Sequence, residues 1–422
     1  LLLLALLLAL CLTAFAAGGA EESDEVEIPV VDLGGREISI MNWWNEPGPL
    51  GGTDETTDAY QNRLRIEEQY NVTLLSARQE YDGYVGLLTA SVLAGEPVAD
   101  VVLIETNWFP NLLANGFVQP WTEEANVESD YWDPITRDAM TVDGEVYGLI
   151  AGPYYPRAVM YFNKGIFERD GLPDPYELVL NGEWTWDAML EIAQQATKDT
   201  DGDGTIDQWG LSGMDFGTSL VFTNNARDMD FDADGNPVFT GDDPAALEAL
   251  NFYQDLIHTH RVMVNEMPEG GTWDWPGVMF REGKVAMYGY QMWYIDTFPG
   301  NMEDEWGFIL FPKGPNAEDY ISYGGGSNGG TIPAGVENPE DVSLIMNVWG
   351  PGTATDEDTT TPVYMAKFTD AISMDVLNYL WDNNISQLSM FAAYPDARNL
   401  WNEAVGEIGS GAKTPAVAVQ ER

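Results

Sequence analysis

Cysteine is nearly absent: 422 residues contain one, Cys11. No disulfide can form within the chain, so the fold must come from buried core alone, and a chain of this length divides that core between two domains. With only His258 and His260 as histidines, a Cys/His zinc site is poorly served. Positive charge is also scarce. Lys and Arg number 18 against 69 Asp and Glu, a net charge of −51. Such a surface repels nucleic acid phosphates and anionic lipid, which removes both as partners. The acidic excess itself has two readings, the solubility of a secreted protein or a saline medium whose counterions screen the self-repulsion. No fixed-period repeat is present, which argues against a solenoid or propeller. Beyond the N-terminus, no apolar run is long enough to span a bilayer.

The N-terminus itself reads "LLLLALLLALCLTAFAAGG". The apolar run closes on Ala14-Phe15-Ala16, the small-x-small pattern of a signal peptidase site, so residues 1–16 are expected to be a signal peptide that this sequence enters partway. Export to the periplasm or the cell surface follows. A lipid anchor on Cys11 is the alternative, against which stands Leu10, where a small residue is wanted. Residues 17–35, ending "EESDEVEIPVVDLGG", read as a flexible acidic leader.

Order is expected from residue 36. Ile38, Ile40 and Met41 form a short strand, Tyr60, Leu64, Ile66 and Tyr70 mark a helix, and "VTLLSA" is a second strand. The helix "DGYVGLLTASVLAGE" ends at Gly95 and leads through "PVADVVLIE" into a third strand. That alternation is the rhythm of a parallel α/β sheet. Further on, "TWDAMLEIAQQAT" is a helix capped by Thr185 or Asp187, and Asp243-Pro244 opens another. "KVAMYGY", "WGFILFP" and "GTIPAG" read as strands, and the tail from about 355 as helices.

The stretch "DTDGDGTIDQWG" is written like a calcium loop. Asp199, Asp201 and Asp203 occupy positions 1, 3 and 5, Gly204 the turn, Thr205 the carbonyl position and Asp207 position 9. Gly210 stands where the bidentate carboxylate belongs, so a full site needs a distant donor, of which Asp215 is one. The loop suggests a structural Ca²⁺, with a plain Asx-rich turn as the alternative. The similar run Asp230, Asp232, Asp234, Gly235 has Pro237 where an N–H is wanted, and reads as a hairpin turn. Gly325-Gly326-Ser327-Asn328-Gly329 fits G-x-S-x-G, but a strand pattern follows it and both histidines precede it, the wrong order for a hydrolase elbow. "GEIGSGAKT" misses the phosphate-loop spacing because Ala412 intrudes before Lys413. His258 and His260 end a helix, where imidazole can meet free carbonyls.

Aromatics are plentiful, with 15 Trp and 19 Tyr, and many stand beside turns: Trp43 and Trp44, Trp108, Tyr154 and Tyr155, Trp273, Tyr290, Trp293. A flat ring beside carboxylates and amides suits a sugar, whose C–H face packs on the ring while its hydroxyls find polar groups. Core packing is the competing role for each ring taken singly.

From residue 36 onward the chain resembles the extracellular solute-binding proteins of ABC importers, the maltose-binding-protein-like family 1. The resemblance rests on ordered segments: "ADVVLIETNWFPNLLANGFVQPW", "DGEVYGLIAGPYYPRAVMYFNKGIFERDGL", "MFREGKVAMYGYQMWYI" and "ISYGGGSNGGTIPAG". It implies an α/β, two-lobe periplasmic-binding-protein type II fold with a hinge and an interlobe cleft. Transferred by motif, lobe one is 36–150 plus 285–350 and lobe two 151–284 plus 351–422. The implied ligand contacts are Trp44, Asn45 and Glu46 after the first strand, Glu105, Asn107 and Trp108 after "DVVLIE", Tyr154, Tyr155 and Arg157 in a crossing, Tyr290 and Trp293 in the strand "YGYQMW", Gly325 and Asn328 in the glycine loop, and Trp273 as a stacking face in lobe two. Gly289-Tyr290-Gln291-Met292-Trp293 departs from the family's "G-x-W", which leaves open which ring faces the cleft. The function implied is capture of a carbohydrate by a monomer that serves the transmembrane subunits of a permease and catalyses nothing. A secreted glycosidase or lyase using Glu46 and Glu105, or a Ca²⁺-dependent surface protein, are the alternatives.

Overall fold

The structure, a computed structural model, describes residues 28–44, 46–151, 156–232, 237–324, 328–350, 364–383, 386–388 and 395–421. The expected signal peptide, Asn45, Tyr154, Tyr155 and Gly325 lie outside them.

Strands β1 (Arg36–Asn42), β2 (Gly48–Pro49), β3 (Val72–Arg78), β4 (Val101–Glu105) and β5 (Val118–Gln119) come first in the chain. β1 runs parallel to both β3 and β4, as the alternating pattern requires. The intervening helix Asp58–Tyr70 starts where the Thr57 hydroxyl accepts the Tyr60 N–H at 3.2 Å, and it stops at Asn71, whose φ of 51° is left-handed. Ile38 and Met41, on opposite faces of β1, are both 1% exposed, so the sheet carries core on each side. The expected leader is not loose throughout. The N–H groups of Leu33 and Gly35 donate to the Tyr70 and Asn71 carbonyls, and Ile28 and Leu33 pack on that face.

The short pair β6 (Thr141–Val142) and β7 (Glu145–Val146) precedes a second sheet. It is built from β8 (Val159–Asn163) and β9 (Trp209–Gly213), and from two strands that follow the hairpin of β10 (Met229–Phe231) and β11 (Pro237–Phe239). Those two are β12 (Val285–Tyr290) and β13 (Trp306–Leu310), and the order is β13-β8-β12-β9. Every residue of β8, β12 and β13 is buried, the mark of a sheet covered on both faces. Thr185 caps the helix Trp186–Ala196 through a 3.3 Å bond from the Ala188 N–H, and Asp243-Pro244 starts the helix Pro244–His258.

This topology corrects the expected first lobe. The segment 285–350 does not stay together, because β12 hydrogen-bonds to β8 and β9, and β13 to β8, so both belong to the second sheet. Their side chains are apolar on both faces, which suits either sheet; partner strands decide, and these are remote in sequence. The chain returns to the first sheet only after β14 (Ser322–Gly324), as β15 (Asn328–Pro333) inserts between β4 and β5. Arg36 then clamps the helix Pro339–Trp349 to this lobe, reaching Asp100 at 3.0 Å and Asp341 at 3.1 Å. Where the chain crosses between the sheets, β14 pairs with β16 (Ser386–Leu388), and the Arg157 N–H donates to the Tyr323 carbonyl at 2.9 Å.

Candidate ligand cleft

The carboxyl ends of parallel strands are where an α/β sheet presents backbone and loops to a ligand. On the first sheet, β1 ends into Trp43 and Trp44, and β4 into Glu105, Asn107 and Trp108. Trp43 is the centre of this cluster. Its ring lies 4.8 Å from Trp44, 5.2 Å from Tyr84 and 5.5 Å from both Tyr81 and Trp108, mostly edge to face. That packing holds Trp44 outward, 47% exposed, as a free aromatic face. Glu46 is less engaged: it meets Arg78 at 3.5 Å with 83% of its side chain exposed.

Glu105 sits deeper. Its side chain is 20% exposed and accepts the Tyr81 hydroxyl at 3.1 Å. Burial first, and then the Glu105 charge, push the Tyr81 phenol up to about 12, so it stays a donor at any physiological pH. Asn328, opening β15, stands opposite Glu105 in the ladder. The side-chain oxygens of both Asn107 and Asn328 are buried with no hydrogen-bond partner among the described residues. A buried amide oxygen left unpaired costs roughly 1–3 kcal/mol, so both are acceptors with capacity to spare at this strand edge.

On the second sheet, β9 ends at Asp215 and β12 at Tyr290 and Gln291. Gln291 donates to the Asp215 carboxylate at 3.1 Å and accepts the Trp293 indole N–H at 3.1 Å, which fixes the Trp293 ring. Trp273 stacks on that ring, with centroids 6.2 Å apart and planes 29° apart, and is itself 64% exposed. Its neighbour Asp274 holds the loop, accepting the Tyr294 hydroxyl at 2.9 Å and Arg281 at 3.2 Å. Tyr290 is 7% exposed and packs edge-on against Trp293 at 5.7 Å. The departure from the family pattern thus resolves toward Trp293 as the more open ring, with Tyr290 behind it.

The two strand edges meet through one side chain that sequence reasoning missed. Arg398, on the helix Pro395–Gly409 packed against the second sheet's helices, reaches Glu105 at 3.4 Å. Arg157 enters from the crossing at the head of β8 and is half-buried. Both guanidinium groups lie within electrostatic reach of the Tyr290 phenol, whose pKa is raised by burial and by Asp215 and lowered by the two arginines. Tyr81, Gln291 and Arg398 were not singled out from the sequence; Gln291 alone lay inside a quoted motif.

The acidic loop lies apart from this cleft. Asp199, Asp201 and Asp207 bring carboxylate oxygens within 4.8 Å of one another, but Asp203 is not among them, and its Oδ1 accepts the Thr205 N–H at 2.7 Å. Asp215 is not part of this group either: it lies beyond the far end of β9, where its carboxylate accepts the Gln291 amide. Gly210 is glycine for another reason: a Cβ there would stand 2.3 Å from the Ala193 carbonyl oxygen. His258 contacts the Gly409 carbonyl at 2.9 Å, a helix-end role, and His260 approaches Gln194 at 3.5 Å. The G-x-S-x-G run leads into β15, a strand, which leaves no elbow.

Two α/β lobes whose polar and aromatic strand ends face one another across a crossed hinge define a two-lobe binding protein of the periplasmic type. Residues 54–349, more than half of the chain, match the bacterial extracellular solute-binding protein family, and the chain belongs to it. Membership places it on the exported side of the membrane, and among the described residues no helix is long and apolar enough to cross one.

Solved structures agree on the fold. An ABC substrate-binding protein from Listeria monocytogenes in complex with cycloalternan is similar at TM-score 0.66 and 16% identity, over 92% of this chain and 97% of that one. A cyclo/maltodextrin-binding protein complexed with maltotetraose gives 0.62 and 17%, over 91% and 94%. The GacH receptor of Streptomyces glaucescens, solved unliganded and with acarbose, gives 0.63 and 15%, over 92% and 96%.

Proposed function

We propose that the protein captures a carbohydrate, an oligosaccharide, between its lobes and delivers it to the transmembrane subunits of an ABC permease, acting as a monomer and without chemistry. One observation carries the reading: Trp44 and Trp108 stand on one strand edge beside the oxygens of Asn107 and Asn328, unpaired among the described residues, and Trp273 and Trp293 stand on the other. Rings that take a sugar's C–H face, beside acceptors that take its hydroxyls, suit a sugar ring more than a peptide strand. The similar proteins were solved with cycloalternan, maltotetraose and acarbose, all saccharides, which supports the same ligand class here. Titration calorimetry tests it. Trp44→Ala and Trp293→Ala should each weaken binding of an oligosaccharide ligand severalfold or more with little change in melting temperature, and unchanged affinity in both would refute the site.

Within the same reading, Ca²⁺ at the Asp199 loop is a structural brace. Three exposed carboxylates drawn within 4.8 Å repel one another, and a hard cation offsets that repulsion.

A further inference from the structure

The chain has 69 carboxylates for 18 cations, and its described arginines are mostly paired. Among them only Arg65, Arg157 and Arg261 form no ion pair. Arg65 bonds Gln69 and Asn62 on a helix surface, and Arg261 is exposed in a turn. Arg157 is different: it is half-buried, it stands in the cleft, and its guanidinium has no hydrogen bond among the described residues. Its backbone is pinned by the 2.9 Å bond to the Tyr323 carbonyl, so the side chain issues from a fixed point. Around it lie Tyr290 and Tyr323, on whose phenols Arg157 and Asp215 act with opposite sign; the Asp215 carboxylate accepts the Gln291 amide and is not bonded to Arg157. Arg398, the second cation at the same phenol, keeps only a 3.4 Å contact to Glu105.

A guanidinium withdrawn from water with its donors unbonded is unfavourable, and closing the lobes would withdraw it further. Among the described residues no carboxylate is bonded to Arg157, which leaves the fork of its guanidinium open to a ligand. Neutral hydroxyls can accept its hydrogens but cannot offset its charge, whereas a carboxylate matches the fork of the guanidinium with two bonds. We propose that the solute is an acidic oligosaccharide of the uronate type, its carboxylate held by Arg157 with Arg398 as the supporting cation. The inference rests on the carbohydrate reading above and narrows it.

The test compares each acid with its own neutral form. The full chain is titrated calorimetrically with oligomers of galacturonate, glucuronate, mannuronate and guluronate, with the methyl ester of each, and with neutral maltotetraose. At least one acid should bind about tenfold or more tighter than its ester. Arg157→Gln should erase that difference, and Arg157→Lys should keep part of it, with the melting temperature of each variant checking its fold. If acids and esters bind alike, or if only neutral saccharides bind and Arg157→Gln leaves them unaffected, the inference is overturned while the carbohydrate reading stands. If no saccharide of either kind binds the folded chain, both fall.

Discussion

Replacing Gly210 by alanine should destabilise the second lobe substantially, for a reason visible in the packing of one helix on one strand. Gly210 lies in β9 beneath the helix Trp186–Ala196, and an added Cβ would meet the Ala193 carbonyl oxygen at 2.3 Å, its Cα at 2.5 Å and its carbonyl carbon at 2.7 Å. Ordinary contact begins at 3.4 Å, so the backbones must part by about 1 Å. No side chain can swing aside, since all three atoms are main chain. The same Ala193 oxygen accepts the Thr197 N–H at 3.0 Å and its hydroxyl at 2.7 Å, while the Gly210 N–H donates to that hydroxyl at 3.0 Å, so parting also strains the helix end. Overpacking of this kind costs typically about 1–3 kcal/mol, and we expect the upper end, a drop of roughly 6–12 °C in melting temperature. Urea unfolding with Gly406→Ala as control measures it. Gly406 is helical with open space at its Cβ, where alanine should stabilise by up to about 1 kcal/mol. If Gly210→Ala unfolds like the wild type, position 12 of the acidic loop was free to carry a ligand and the packing argument is wrong. By the same reasoning Gly210→Glu should damage the fold instead of tightening a cation site.

The acidic loop gives a separate expectation. Chelation should lower the melting temperature and leave saccharide affinity intact, and a lost affinity with unchanged melting would contradict a bracing role. Stability should also fall in acid through Asp370. Burial raises its pKa, but hydrogen bonds from Lys164, the Ser373 N–H and the Tyr176 hydroxyl outweigh this and hold the carboxyl below the usual range. A depressed folded value stabilises above the unfolded pKa of about 4 and is lost as pH falls through the folded one. Asp370→Asn should therefore lower stability at neutral pH and flatten the loss below about pH 4; an unchanged acid limb by circular dichroism would count against it.

The first lobe was readable because its signals are local. β1, the helix Asp58–Tyr70 and β3 follow one another in 43 residues, and each boundary carries its own cap or turn residue. Thr185 and Asp243-Pro244 were legible for the same reason. The placement of β12 and β13 was not, because a strand buried on both faces announces only that it is buried; its sheet is set by partners such as β8, over a hundred residues upstream in the case of β12. The cleft was read in the same uneven way. Aromatic residues beside turns pointed to Trp44, Trp108, Trp273 and Trp293, but nothing near "YPDARNLW" marks Arg398, which meets Glu105 across a separation of 293 residues. Arg157 was noticed as a polar contact; that its guanidinium has no bonded partner among the described residues is a property of three dimensions.

Five indoles stand along the proposed cleft: Trp43, Trp44 and Trp108 beside the first sheet, Trp273 and Trp293 beside the second. Others, such as Trp184 at 0% exposed and Trp132 at 4%, are sealed in the cores and will emit the same light whether the lobes are open or closed. The rim indoles should not, since closure of the proposed cleft would strip water from Trp44 and Trp273 and shift their emission to shorter wavelength. The protein thus carries its own optical gauge, and the rate at which it shuts on a solute can be followed by stopped flow with no label attached.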